Sequence, residues 1–148
     1  MWLAAAQGKC PPSPPNRARV MVIAGDHGVA QSGVSAYPVG ATLRQVLAVH
    51  QQNAPVAVLA RMARTSVRVV DVSVDHHATD SDLASGYRVR RASGRIDRED
   101  AMSEAETERA FAVGRRLADE EVDAGADLLI PASLASARPP RRRRWSPP

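Results

Sequence analysis

The sequence is poor in aromatic residues, lysine and cysteine. Tryptophan, tyrosine and phenylalanine together make up 3% of its 148 residues. A hydrophobic core must therefore rely on small aliphatic side chains such as alanine, which bury less apolar area per residue than leucine or phenylalanine. Cys10 is the single cysteine, which excludes an internal disulfide bond and a cysteine-based zinc cluster. The basic residues are 19 arginines and one lysine, a ratio typical of a GC-rich gene.

Long apolar runs are also absent. The sequence has no stretch of 18 apolar residues and no charged segment followed by an apolar leader, so we expect a cytoplasmic protein with no membrane partner. The net charge of +4 is concentrated at one end, because five arginines follow residue 137 and residues 1–137 carry a net charge of −1. A nearly neutral body gives no reason to expect specific nucleic-acid binding.

The order of apolar patterns predicts an α/β fold. We expect a partial doubly wound, Rossmann-like parallel sheet of three strands joined by crossover helices. Strands are predicted at residues 19–24, 67–74 and 127–130, and helices at 42–52, 56–64 and from 103 to a C-terminal cap at 125. The chain then divides into an N-terminal helix end with a proline-rich linker (1–18), a partial α/β domain (19–130) and a tail (131–148).

The tail differs in composition from the rest of the chain. Residues 131–148 are rich in proline and arginine, which predicts a disordered basic segment. Because alanine codons of a GC-rich gene read as arginine codons after a two-nucleotide shift, we hypothesise that the reading frame has shifted after Ile130. A basic-tailed nucleic-acid binder is the alternative that this segment alone favours.

The most informative feature is an apolar strand that ends in a polar pair. Residues 20–24 are followed by Gly25, Asp26, His27 and Gly28. Open α/β sheets place their ligand sites at the carboxyl ends of strands, so this pair predicts a site. The competing interpretation is structural, with Asp26 capping the next segment and His27 a satisfied structural histidine.

Several segments share one resemblance. Residues 24–29 (AGDHGV) and 33–38 (GVSAYP), and then residues 67–74, 88–96 and 118–130, follow in the order seen in one enzyme family. The chain resembles the front part of the nicotinate-nucleotide:dimethylbenzimidazole phosphoribosyltransferase family of cobalamin biosynthesis, over roughly residues 1–130. Members are more than twice as long, so the resemblance implies an N-terminal and central fragment.

The resemblance also implies a reaction. Family members transfer phosphoribose from nicotinate mononucleotide to 5,6-dimethylbenzimidazole, giving α-ribazole 5′-phosphate, and they form homodimers. Their general base is a glutamate near the far C-terminus, so we assign no catalytic residue here and expect this chain to be inactive alone. No cofactor and no metal is implied. The expected substrate-binding residues are Asp26, His27, Gly28, Val34, Ser35, Tyr37 and Pro38.

Departures from the family pattern leave alternatives open. Gln52 and Ala92 stand where the family has glycine, which introduces strain if those positions need a positive φ. This favours, as an alternative function, a noncatalytic binding fragment or a degenerate paralogue. His76 and His77 lie near Asp71 without a third ligand on a rigid element, so we expect a solvated loop rather than a metal site. The arginines at 88, 90 and 91 are expected to form a solvated face rather than a phosphate site.

Overall fold

A computed structural model describes residues 2–38, 40–77 and 86–136. The helices are α1 (Trp2–Gln7), α2 (Ala41–His50), α3 (Pro55–Met62) and α4 (Glu104–Asp123), with a short 3₁₀ helix at Gly28–Ser32. The strands are β1 (Ala18–Gly25), β2 (Ser66–Ser73) and β3 (Leu128–Ala135). In these ranges no helix is long and apolar enough to cross a membrane.

The three strands form one parallel sheet in the order β2-β1-β3. Side chains alternate between the two faces of β1. Met21 packs on one face with Leu117 of α4, and Ala24 packs on the other with Val46 of α2. Helices therefore cover both faces of a central strand, which confirms the predicted doubly wound α/β architecture.

Helix α4 begins and ends at the predicted signals. The Ser103 hydroxyl accepts a hydrogen bond from the Glu106 amide, and the Glu106 carboxylate accepts one from the Ser103 amide, which completes a capping box. This arrangement satisfies two amides at the start of the helix. Gly125 follows the last turn with φ of 84°, a conformation that a residue with a Cβ adopts only at a cost.

Strand β3 is longer than predicted, and it includes five residues that the sequence analysis assigns to the tail. Residues 131–135 continue the strand, with Pro131 opposite Met21 and Ala135 opposite Gly25. Proline is compatible with a strand at the edge of a sheet, because the missing N–H can be spared there. The Asp127 carboxylate sets the register by accepting hydrogen bonds from the amides of residues 16 and 17 at 2.7 and 2.9 Å. The predicted disorder of residues 137–148 lies outside the described residues.

An ion cluster lies between the start of β2 and the end of α4. Arg68 donates to Glu120 and Glu121, each at 2.9 Å, and to the Tyr87 hydroxyl at 2.8 Å. Tyr87 in turn donates to Glu120 at 2.5 Å. The guanidinium of Arg116 lies 4.7 Å from the centre of the Tyr87 ring, a favourable cation–π distance. Glu121 is 3% exposed. Burying its carboxylate between the sheet and α4 is costly unless the basic partners of the cluster are in place.

The cluster predicts a loss of stability in acid. The Tyr87 hydroxyl and then Arg68 lower the pKa of Glu120 from its ordinary value of 4.5 to about 2. A lowered folded-state pKa contributes stability above pH 4.5, and this contribution is lost as the pH falls towards 2. We expect Glu120→Gln to flatten the fall in melting temperature between pH 5 and pH 2. A slope identical to that of the wild type would contradict this role.

Replacing glycine by alanine is expected to have opposite effects at two positions in and just after α4. Gly114 lies in the interior of α4, and a Cβ added there meets no atom within 4 Å. Gly114→Ala should raise the free energy of unfolding by about 0.5–1 kcal/mol, because alanine restricts the unfolded chain. At Gly125 the backbone has a positive φ, which strains any residue with a Cβ. A Cβ added there would also lie 2.7 Å from Nη1 of Arg17.

Gly125→Ala is the matched control, and it should lower the free energy of unfolding by about 1–2 kcal/mol. Urea denaturation of both variants measures the difference. Equal effects of the two substitutions would show that helix propensity and backbone conformation do not act here as described.

Candidate functional site

The carboxyl ends of the strands meet at a buried carboxylate. Asp26 follows β1 directly and is 6% exposed. Its Oδ1 accepts from the Thr42 hydroxyl at 2.5 Å, and its Oδ2 accepts from the Asp75 amide at 2.8 Å. The Asp26 amide donates to the carbonyl of Ser73 at 2.9 Å. One side chain therefore joins the end of β1, the first turn of α2 and the segment that leaves β2.

A loop from the other side closes over the same edge. Ser93 forms a parallel bridge with His27, its amide donating to the Asp26 carbonyl at 2.9 Å. The Gly28 amide donates to the Ser93 carbonyl at 3.1 Å. A Cβ at Gly28 would lie 2.5 Å from that carbonyl oxygen, so only glycine fits this close approach.

The segment at residues 33–38 is tied to the end of β3. The Ser35 hydroxyl donates to the carbonyl of Ser136, and the Tyr37 amide donates to the Ser35 hydroxyl at 3.1 Å. Tyr37 is 61% exposed, so its ring is open to stacking with a planar partner. Val34 and Pro38 are also exposed. The segment thus presents an apolar surface beside the polar strand ends.

The structure brings most of the predicted site residues to one edge of the sheet. Asp26, His27 and Gly28 lie at the end of β1, and Ser35 reaches them through Ser136, whose hydroxyl accepts from the His27 amide at 3.2 Å. Exposed residues of the same 33–38 segment are Val34, Tyr37 and Pro38. A cavity of about 20 Å³, the size of one water molecule, remains between Asp26, His27, Asp75 and Ser136.

Three contributing residues were not identified from the sequence. Ser136 was assigned to the tail, and the roles of Thr42 and Ser93 depend on contacts across 16 and 65 residues of chain. The sequence does contain a signal for Thr42. A threonine in the first turn of a helix can donate its hydroxyl to an aspartate at the end of the preceding strand.

The prediction that His76 lies in a solvated loop is wrong. Its side chain and that of Asp71 are each 2% exposed, and His76 Nε2 lies 2.7 Å from Asp71 Oδ2. Asp71 Oδ1 accepts from the Val74 amide at 2.7 Å. In the described ranges no group of three His, Cys, Asp or Glu side chains could hold a metal ion.

The arginines of the following loop bind this chain's own acceptors. Arg88 donates to the carbonyls of residues 74 and 76, each at 2.7 Å. Arg90 pairs with Glu106 at 2.9 Å, and Arg91 pairs with Asp75 at 2.5 Å. These groups hold the loop against the strand ends, which differs from the solvated face that was predicted.

Comparison with known proteins identifies the family. A family model described as a phosphoribosyltransferase matches residues 1–137. The nicotinate-nucleotide–dimethylbenzimidazole phosphoribosyltransferase of Corynebacterium glutamicum (strain R) is 47% identical over 133 residues, which are 90% of this chain and 36% of the relative. The protein of the same name from Mycolicibacterium paratuberculosis is 51% identical over 134 residues, which are 90% and 38% of the two chains.

A solved structure agrees with these relatives. The crystal structure of CobT from Thermus thermophilus superposes with a TM-score of 0.83 at 35% identity, and it covers 90% of this chain and 40% of that one. The chain belongs to the nicotinate-nucleotide:dimethylbenzimidazole phosphoribosyltransferase family. It spans little more than a third of the length of the curated relatives it matches. The match of the family model extends to residue 137, seven residues beyond the point at which the frame shift is hypothesised.

Two of the residues that are expected to depart from the family pattern have unusual backbone conformations. Gln52 has φ of 61° and Ala92 has φ of 47°. Both angles are positive, and strain is expected where a residue other than glycine has a positive φ. Left-handed backbone costs a residue with a Cβ roughly 1–2 kcal/mol. The Ala92 amide donates to the Ser73 carbonyl at 3.0 Å, so the loop keeps its place at the strand ends.

Restoring glycine at residue 92 should therefore stabilise the chain. We expect Ala92→Gly to raise the free energy of unfolding by about 0.5–1 kcal/mol, the relief of strain being partly offset by the greater freedom of glycine in the unfolded chain. The control is Ala101→Gly, at a position that has no positive φ, which should be neutral or destabilising. Thermal unfolding measures both. Destabilisation by Ala92→Gly would show that residue 92 is unstrained.

Proposed function

We propose that this chain forms the acceptor side of a phosphoribosyl-transfer site. The donor is nicotinate mononucleotide, the acceptor is 5,6-dimethylbenzimidazole, and the product is α-ribazole 5′-phosphate. By this proposal the chain is one part of a pentosyltransferase, of the glycosyltransferase class, that acts in the cytoplasm as a homodimer. The single observation that supports the proposal most is the convergence of the 33–38 segment and the β1 end at one edge of the sheet.

The acceptor is a flat, largely apolar ring with polar nitrogens. The exposed faces of Val34, Tyr37 and Pro38 offer apolar contact for such a ring. Beside them the His27 side chain is exposed and offers a hydrogen-bonding group. Asp26 has a different part in the proposal. Its oxygens accept from Thr42 and Asp75, so it holds the walls of the site in place.

Transfer to the acceptor nitrogen needs more than this surface. The reaction develops positive charge at the ribose carbon, and a base must take the N–H proton of the benzimidazole ring, which lies on the nitrogen that does not attack. We assign neither task to a residue of this chain. The proposal is that the 148-residue polypeptide binds the acceptor and does not transfer phosphoribose alone.

A second candidate is a noncatalytic binding fragment or degenerate paralogue. The positive φ angles of Gln52 and Ala92, where the family has glycine, favour it. Selection on a working enzyme tends to remove such strain unless the site uses it. The two candidates share the acceptor surface and differ in whether the chain acts in turnover when the rest of a family member is supplied.

Calorimetric titration with 5,6-dimethylbenzimidazole tests the acceptor surface. We expect saturable binding that Ser35→Ala weakens about 5- to 10-fold, because the alanine loses the hydrogen bond to the Ser136 carbonyl and the one from the Tyr37 amide. Ser32→Ala is the control, since that hydroxyl accepts from Arg95 and lies outside the 33–38 segment. Equal affinities for wild type and Ser35→Ala would reject this surface as the acceptor site.

Turnover separates the two candidates. The purified chain is incubated with both substrates, alone and together with the remaining part of the Corynebacterium glutamicum relative as a separate polypeptide. Product formed only in the mixture supports the transferase half-site. Acceptor binding without product in either case supports the noncatalytic alternative.

A further inference from the structure

We propose that Asp71, His76 and Arg88 are positioning residues that set the geometry of the acceptor site from behind the strand ends. None of the three is among the residues assigned above to contact with substrate. The measurement of ligand affinity rests on the proposed function, because it assumes that the site binds the acceptor. The placement of the Asp75 amide against Asp26 is measured without a ligand.

The first element is a buried, directional pair. His76 Nδ1 lies 2.7 Å from the carbonyl oxygen of His77, which can only accept, so Nδ1 carries a proton and donates. His76 Nε2 lies 2.7 Å from Asp71 Oδ2. A proton must lie between these two atoms, since a bare lone pair and a carboxylate oxygen would repel at that distance. The imidazole is therefore fixed at both nitrogens.

The second element fixes the same segment from the opposite side. One guanidinium nitrogen of Arg88 donates to the carbonyls of Val74 and His76, at 2.7 Å each. Asp71 Oδ1 accepts from the Val74 amide at 2.7 Å. Three consecutive residues, 74–76, are thus held through amide, carbonyl and side chain at once.

These contacts determine where the Asp75 amide points. It lies in the middle of the fixed segment and donates to Asp26 Oδ2 at 2.8 Å. The other oxygen of Asp26 binds Thr42 in the first turn of α2, directly after the 33–38 segment. A displacement at residues 74–76 would therefore pass through Asp26 to the acceptor surface.

A purely stabilising role does not require these polar groups. Replacing a buried ion pair with well-packed apolar side chains is often neutral or stabilising. Hydrogen bonds differ from apolar contacts in being directional. A buried Asp–His pair beside a functional edge is therefore better suited to orienting backbone than to adding stability.

Asp71→Asn separates geometry from charge. The asparagine Oδ1 can still accept from the Val74 amide, and its Nδ2 can donate to Nε2 of a neutral His76 whose Nδ1 keeps its proton. Both hydrogen bonds survive without the carboxylate. Asp71→Val is apolar and keeps neither.

Amide hydrogen exchange at Asp75, relative to that at Val70 within β2, is the first measurement. Val70 reports global opening, so the ratio isolates the local geometry. We expect the ratio to rise at least 10-fold in Arg88→Gln and Asp71→Val and to stay within twofold of wild type in Asp71→Asn. Arg98→Gln is the control, because that arginine is in the same loop, 3.9 Å from its acidic partner and largely exposed.

The affinity for 5,6-dimethylbenzimidazole is the second measurement. It should weaken about 5- to 10-fold in Arg88→Gln and remain near wild type in Asp71→Asn and Arg98→Gln. If Arg88→Gln leaves the ratio of Asp75 to Val70 exchange unchanged, the positioning role is overturned. Arg88 is partly exposed, so this variant gives the answer even if Asp71→Val fails to fold. A wild-type chain that does not bind the base overturns the proposed function instead, while the exchange ratio still decides the positioning role.

Discussion

The structure depends on one buried carboxylate at the end of the central strand. Removing a charged group from water is costly unless hydrogen bonds replace the lost hydration. Asp26 meets this condition with donors from two separate parts of the chain, Thr42 and the Asp75 amide. Its burial is therefore possible only when α2 and the segment after β2 have reached their final positions. The same contacts place the 33–38 segment beside the strand ends.

The two ends of the sheet carry different polar clusters for different purposes. At the amino end, Arg68 joins β2 to α4 through Glu120 and Glu121, which supports a core with few large side chains. At the carboxyl end several hydrogen bonds join a side chain to the backbone: the Asp75 amide donates to Asp26, and the Ser35 hydroxyl donates to the Ser136 carbonyl. Contacts of the first kind hold elements together, and contacts of the second kind orient loops. The two ends of the sheet thus use different kinds of polar contact.

Local signals explain what could be predicted from the sequence. The strand that ends in Asp26 and the capping box at Ser103 each lie within a few consecutive residues, and both were found. His76 was misplaced because its burial depends on Asp71 within β2 and on Arg88, which lies 12 residues further along the chain. Strand β3 was cut short because Pro131 is compatible with a strand only at a sheet edge, and the strand order is not visible in sequence.

The strained alanine at residue 92 shows how a loop keeps its position despite an unfavourable residue. A left-handed conformation persists where the surroundings determine it more strongly than the residue resists it. The Ala92 amide is bound to the Ser73 carbonyl, and the next amide, of Ser93, is bound to the Asp26 carbonyl. Both carbonyl groups lie at the strand ends, so relaxing the loop would break its hydrogen bonds to the ends of β1 and β2. Alanine at this position therefore lowers stability and leaves the geometry of the strand ends in place.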